Sequence, residues 1–390
     1  MRVAVVAGPD PGHSFPAIEL CRRFLAAGAA PTLLTGVEVL EFARAAGIDA
    51  IELDGLKSGP FDDDTDAGAK IHQRAARMAV LNKDSLAELA PDLVVSDVIT
   101  AGGALGAELL SVPWIELCPH PLYLPSKGLP PVGSGLAPGA GLRGRLRDSV
   151  MRALTARSLR QGRRQRVAAR VAIGLPPTAV DPLRRLIATL PALEVPRPDW
   201  PPEAVVVGPL FFEPTDAELD VPRGTGPLVV VAPSTAMLGA RGLIDVALEC
   251  LTPGDGLPAG ARVVVSRLWG EQMTVPPWAV VGRGRQDRLL EQADLVISGG
   301  GHGMVAKTLL AGVPLVVVPG GGDQWEMANR VVRQGSARLV RPLTAEALRA
   351  AVADVLSSPR YQEAARRAGQ SVVSVADPVR VCHEALARAA

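Results

Sequence analysis

The sequence predicts an α/β protein made of two doubly wound parallel-sheet domains that face each other across a cleft. Three observations lead there. A chain of 390 residues with 48% hydrophobic content exceeds one ordinary core and suits two. Short β-branched runs alternate with longer helical patterns, the sequence form of a parallel sheet wrapped by helices. The alternation lapses in a Pro-rich stretch over 191–202 and then starts again.

In order, residues 3–7 read as the first strand, 15–27 as a helix, 31–35 as a strand and 37–46 as a helix, with later buried strands at 93–96 and 114–117. The segment 57–68 is a polar loop, and 119–141, rich in Pro and Gly without a period, is a long loop on the cleft rim. An Arg-rich helix follows and breaks at Gly174-Leu175-Pro176-Pro177, after which Val205-Val206-Val207-Gly208-Pro209-Leu210 closes the first half. The second half offers strands at 228–232, 262–265, 279–281, 295–298, 315–318 and 337–340, then helices at 345–357, 360–373 and 378–389. These runs divide the chain into a domain over 1–208, a linker over 209–226, a second domain over 227–375 and a last helix in 376–390. No short repeat occurs, which excludes a solenoid.

A formal net charge of +1 argues against nucleic acid as a partner. The charge is uneven: ten arginines between Arg143 and Arg170 face the single acid Asp148, so that stretch carries +9 and the remainder −8. Such a helix either docks on anionic headgroups or presents a plain solvated face. Cys21, Cys118, Cys250 and Cys382 lie far apart, which suggests neither a zinc site nor a disulfide framework and suits a cytoplasmic protein. No apolar run approaches the roughly 18 residues of a membrane span.

Four constellations can carry chemistry. Gly8-Pro9-Asp10-Pro11-Gly12-His13 follows the first strand, where such sheets bind ligands, but lacks the spacing of a dinucleotide fingerprint. His13 either faces the cleft or caps the helix. Asp97 ends a buried strand on the same sheet edge, so it can steady an imidazole or cap the helix near Thr100. Ser298-Gly299-Gly300-Gly301-His302-Gly303-Met304-Val305 feeds a strand through glycines into a helix, aiming unpaired N–H groups at one point suited to a diphosphate; alone it could be a tight turn. Asp323 and Gln324 start another helix after Gly320-Gly321-Gly322, with an acceptor and a donor suited to sugar hydroxyls, or with Asp323 as a cap.

The run SGGGHGMVAKTLLAGVPLVVVPGGGDQWEMANRVVRQG resembles the donor-binding signature of the UDP-glycosyltransferase and antibiotic (macrolide-type) glycosyltransferase families, which share the GT-B fold of two Rossmann-like domains. PGHSFPAIEL is similar to their GH-x-x-P motif, PDLVVSD to a later strand, VVVGPL to the interdomain linker and PLVVVAPST to the opening of the donor domain. The resemblance implies an inverting, metal-independent hexosyltransferase that uses a UDP- or dTDP-linked sugar as co-substrate and no other cofactor. Its acceptor would be a small molecule, natural product or lipid-like, bound by the first domain. His13 matches the general base and Asp97 its orienting carboxylate; Gly303, Met304 and Val305 the diphosphate-holding helix start; Asp323 and Gln324 the sugar-reading pair. Ser234 matches a cleft-lining loop and Gln286 a glutamine near the base. The last helix would cross back onto the first domain.

The chain departs from the family pattern at three places. Gly299 replaces a diphosphate-binding histidine, so His302 substitutes from one turn away or the contact is lost. Lys307 replaces a ribose-binding carboxylate, and Arg283-Gly284-Arg285-Gln286 a more hydrophobic stretch; Arg283, Arg285 and Lys307 would then hold phosphate charge. Gly299 and Lys307 also leave open a degenerate GT-B protein that activates a true transferase, against which the His13 and Asp97 pair argues. A nucleotide-sugar epimerase would need more cleft carboxylates than the first half offers. The D-x-D pattern over 62–66 lies in a loop and gives no metal site. Of His72, His120 and His383, only His120, in the rim loop, merits a test. A monomer and a homodimer both fit.

Overall fold

The structure, a computed structural model, describes residues 1–57, 66–235, 239–269 and 273–389. The first half runs β1 (Arg2–Val6), α1 (Pro11–Ala26), β2 (Ala30–Thr35), α2 (Val37–Ala45), β3 (Asp49–Glu52), α3 (Ala67–Leu81), α4 (Lys83–Leu89), β4 (Leu93–Asp97), α5 (Gly102–Leu109), β5 (Trp114–Cys118), α6 (Gly141–Ala172), β6 (Arg185–Ile187) and β7 (Ala204–Val206). The second runs β8 (Leu228–Ala232), α7 (Leu243–Cys250), β9 (Arg262–Ser266), β10 (Ala279–Gly282), α8 (Gln286–Leu290), β11 (Leu295–Ser298), α9 (His302–Leu310), β12 (Leu315–Val317), α10 (Asp323–Gln334), β13 (Ala337–Leu339), α11 (Ala345–Ser357), α12 (Pro359–Gln370) and α13 (Pro378–Ala389).

Both sheets are parallel and wound alike. The order is β3-β2-β1-β4-β5-β6-β7 in the first and β10-β9-β8-β11-β12-β13 in the second. Each reverses its direction of growth once, between β1 and β4 and between β8 and β11, where Val6 pairs with Ser96 and Ala232 with Ser298. In open α/β sheets the crevice beyond the carboxyl ends at such a point is the ligand site. The central strands are covered on both faces by helices, so they read as unbroken apolar runs; Leu228, Val229, Val230 and Val231 are all buried. Burial of one such side chain is worth roughly 1.5–3 kcal/mol.

α1 begins at Pro11, earlier than the apolar period indicates, because Asp10 is its extended N-cap and proline suits the first helical position. His13 therefore lies in the first turn of the helix and not in the loop before it. The strands β3 and β6 and the helices α3 and α4 stand where no clear period marks them, and β7 forms within the apolar run that closes the first half. At the other end, helix 360–373 stops at Gln370, and Ser371–Ser374 form a 3-10 turn. The D-x-D pattern lies outside the described residues except Asp66, whose Oδ1 caps α3 by accepting from the Gly68 and Ala69 amides at 2.9 and 3.0 Å.

The two halves are joined by more than the linker. Val379, Val381, Cys382 and Ala385 of α13 pack in the core beneath the first sheet with Leu20 and Phe24 of α1. Leu190 and Leu193, which follow β6, pack among α9, α10 and α12 of the second half. The rim loop grips α10: the Gly135 amide donates to Glu326 at 3.0 Å, Trp325 Nε1 to the Ser134 carbonyl at 3.2 Å, and Arg333 to the Gly135 carbonyl at 2.7 Å. Gly135 has φ +68, and a Cβ there would collide with Trp325 Nε1, so only glycine fits both the backbone and the contact.

Candidate active site

β1 and β4 lie on either side of the reversal of the first sheet; the first turn of α1, which follows β1, carries His13, and β4 ends in Asp97. His13 Nδ1 lies 2.7 Å from Asp97 Oδ1; the carboxylate is fully buried while the imidazole keeps 18% exposure. Asp97 Oδ2 accepts from the amides of Ile99 and Thr100 at 3.1 and 3.2 Å and from Thr100 Oγ1 at 3.0 Å. Thr100 Oγ1 in turn accepts from the Gly8 amide at 2.8 Å. Asp97 thus orients the imidazole and organises the turn before α5 at once. Burial works to lower the His13 pKa, but the charge and hydrogen bond of Asp97, with smaller help from Asp10 and Asp323, outweigh it, and the net shift is upward. Nδ1 is held by Asp97, which leaves Nε2 as the ring nitrogen that can exchange a proton with another group.

Two further imidazoles stand nearby. His120 meets His13 edge-on with ring centroids 6.0 Å apart and stacks on Tyr123 at 4.6 Å. Burial lowers its pKa, against the hydrogen bond to the Pro121 carbonyl. His302, the first residue of α9, turns toward the first half: its Nε2 lies 2.9 Å from Thr189 Oγ1. Burial, then the charge of His120, pushes its pKa down to about 3. His302 is therefore a neutral ring braced across the cleft, so it brings no cationic substitute for the histidine absent at Gly299.

The second sheet repeats the arrangement. Ser234 follows β8, and Gly299-Gly300-Gly301 follows β11. Gly300 has φ +80, its amide donates to Ser298 Oγ at 3.1 Å, and Gly301 is the N-cap of α9. A Cβ on Gly301 or Gly303 would meet nothing within 4 Å, so the space beside the first turn of α9 is open, while the Val305 amide already donates to the Gly301 carbonyl at 3.1 Å. Helix-start amides with that access suit an anion. A Cβ on Gly299 would stand 3.0 Å from both the Cβ and the amide nitrogen of Ser234. The 234 loop occupies the room that a side chain at 299 needs.

Gln324 is buried and bonded at both ends, donating to Ser234 Oγ at 2.7 Å and accepting from the Gly320 amide at 3.0 Å. Asp323 is exposed at the first position of α10, behind Gly322 as N-cap, and its field reaches His13 in the other half.

Lys307 and Arg285 are not free cations in this structure. Lys307 Nζ donates to Glu213 Oε1 at 2.6 Å and to Gln286 Oε1 at 3.1 Å, and Arg285 is paired with Asp287. Glu213 also accepts from the Gln286 amide at 3.1 Å, while Gln286 Nε2 donates to Ser266 Oγ at 3.2 Å. A carboxylate does stand beside position 307, contributed by the linker. This group borders a cavity of about 720 Å³ whose walls include Arg22, Phe42, Phe212, Glu213, Arg285 and Lys307. Glu213, Thr189 and Thr100 escaped the sequence reading, because no motif marks a linker glutamate or a threonine at a strand end. Among the described residues no group of three or more His, Cys, Asp or Glu side chains could hold a metal ion.

Comparisons with known proteins agree with this architecture. Residues 274–387 match the family described as erythromycin biosynthesis protein CIII-like, C-terminal domain. The 4'-demethylrebeccamycin synthase of Lentzea aerocolonigenes is 27% identical over 94% of each chain. The solved glycosyltransferase of kitacinnamycin superposes with a TM-score of 0.73 at 22% identity, covering 96% of this chain and 95% of that one. The SsfS6 glycosyltransferase of Streptomyces sp. SF2575, complexed with thymidine diphosphate, gives 0.67 at 19% identity over 98% and 99%. The solved neighbours show that the two parallel-sheet domains form a GT-B fold, and the chain is similar in its C-terminal part to the erythromycin biosynthesis protein CIII-like family and over most of its length to an antibiotic glycosyltransferase.

Proposed function

We propose that the protein is an inverting hexosyltransferase that moves a sugar from a nucleoside-diphosphate donor to a hydroxyl of a small-molecule acceptor. One observation carries the reading: a carboxylate-held imidazole beyond the switch point of the first sheet and a glycine-led helix start with open space beside it beyond the switch point of the second. In a single displacement, His13 Nε2 takes the acceptor hydroxyl proton as the oxygen attacks the anomeric carbon, and the bond from that carbon to the diphosphate oxygen breaks. Asp97 stabilises the imidazolium that forms. Charge growing on the leaving diphosphate meets the first amides of α9.

The first half would hold the acceptor and the second the donor. Asp323 is free to accept from sugar hydroxyls, whereas Gln324 can do so only by giving up part of its bonding to Ser234 and Gly320. Lys307, Glu213 and Gln286 would meet the nucleoside. A relative that carries thymidine diphosphate and another named for rebeccamycin synthesis favour a dTDP- or UDP-linked donor and a natural-product acceptor. No step requires a metal ion.

Calorimetry of the whole chain against UDP, dTDP and GDP tests the reading, paired with His13→Ala. Binding of one diphosphate by both proteins, with transfer lost only in the variant, is the expected outcome. Failure of all three to bind overturns it.

A further inference from the structure

α6 is a 32-residue helix that buries only Asp148, Ala169 and Arg170. At a rise of 1.5 Å per residue it extends about 48 Å along the surface. Leu142, Leu146, Val150 and Leu154 recur every fourth residue and are 86%, 65%, 51% and 76% exposed. With about 100° per residue these four fall within an arc of roughly 120°. Arg157, Arg160 and Arg164 continue the same arc toward the helix C-terminus, opposite the side that carries Met151, Asp148 and Ala169. The outward face thus carries four aliphatic side chains and Arg143 in its first turns and arginines in the next.

The charge on that face is unspent. Arg147 pairs with Asp148, and Arg170 with Glu108. Among the described residues, Arg143, Arg145, Arg157, Arg160, Arg163 and Arg164 have no carboxylate within ion-pair distance. Leucines exposed to this degree cost solvation in a free protein, and clustered unpaired guanidinium groups attract anions.

We infer that α6 is a docking surface for an anionic lipid bilayer. Leu142, Leu146, Val150 and Leu154 would enter the headgroup boundary while the arginines pair with lipid phosphates, the arrangement of an interfacial helix. A second copy of the chain would oppose arginine to arginine, and four aliphatic side chains fall far short of the roughly 800 Å² per partner of a stable interface. Docking goes beyond the transfer reaction. It would also hold the rim loop, which runs directly into α6, at the membrane surface, where a lipid-dissolved acceptor could reach it.

The test uses the full chain in cosedimentation with vesicles of phosphatidylcholine alone and of phosphatidylcholine mixed with phosphatidylglycerol. Binding is expected to the mixed vesicles, to fall as salt is raised, and to be weak on phosphatidylcholine. Replacing Arg157 and Arg160 with Ala should weaken it about thirtyfold, since each surface cation contributes about fivefold. Leu146→Glu with Leu154→Glu should abolish it, and unchanged thermal melts would show that both variants fold. Equal binding to neutral vesicles, no binding at low salt, or indifference to both variants overturns the proposal. A dimer that the leucine variant dissolves does so too, because α6 would then be covered by its own kind.

Discussion

Asp97 divides its carboxylate between two duties: Oδ1 holds His13 at 2.7 Å while Oδ2 takes the amides of Ile99 and Thr100 and the hydroxyl of Thr100. The imidazole is therefore tied to the same carboxylate that shapes the end of β4, and its orientation is fixed by backbone and not by a loose side chain.

Replacing His13 with Ala should lower transfer by about 10²- to 10⁴-fold with nucleotide binding intact. The base works only when neutral, and its pKa lies above 6.5, so the acid limb of kcat/KM should fall above that value. Asp97→Asn removes the charge that raises the pKa, so the limb should move to lower pH as the rate drops. An unmoved limb in a pH–rate series would remove His13 from the role.

His302 titrates in the opposite sense. Its folded pKa of about 3 lies below the ordinary 6.5, so the unfolded chain binds the extra proton first and stability should decline as pH falls from 6.5 toward 3. His302→Gln, which keeps a partner for Thr189, should flatten that slope in denaturant titrations run across the window.

Gly299→Ala should destabilise the second half by about 1–3 kcal/mol, the usual cost of overpacking, because the new methyl meets Ser234 at 3.0 Å. Since Ser234 holds Gln324, donor affinity should weaken with it. Thermal melts with and without nucleoside diphosphate separate the two effects.

Lys307 and Glu213 are 13% and 16% exposed and share one short ion pair. Removing either leaves its partner uncompensated, so Lys307→Ala and Glu213→Ala should each weaken nucleotide binding, with a coupling of about 0.5–3 kcal/mol in a double-mutant cycle read by calorimetry. Additive losses would mean that the two act separately.

The two sheets were legible because their central strands are covered on both faces and so appear as apolar runs, as at Leu228–Ala232. β6 was not: three residues set among prolines and charges carry too little period to register, and the run at Val205–Val207 marked the close of the first half without being read as the strand β7. His13, Asp97 and the α9 glycines stood out because each follows a strand at a sheet edge. Glu213 did not, since its meeting with Lys307 spans 94 positions and depends on how the linker lies against α9. The reason for Gly299 was equally hidden, because it resides in the Ser234 loop and not in the residue itself.

The rim loop's hold on Trp325, Glu326 and Arg333 fastens α10 of the second half to the first half. Its first turn carries Asp323 and Gln324 beside Trp325 and Glu326, and Arg333 holds the same loop from the third turn. On the proposed function, a tilt of this helix as the sugar is gripped would be passed through these bonds to the rim loop, so the two halves would move as one at that corner.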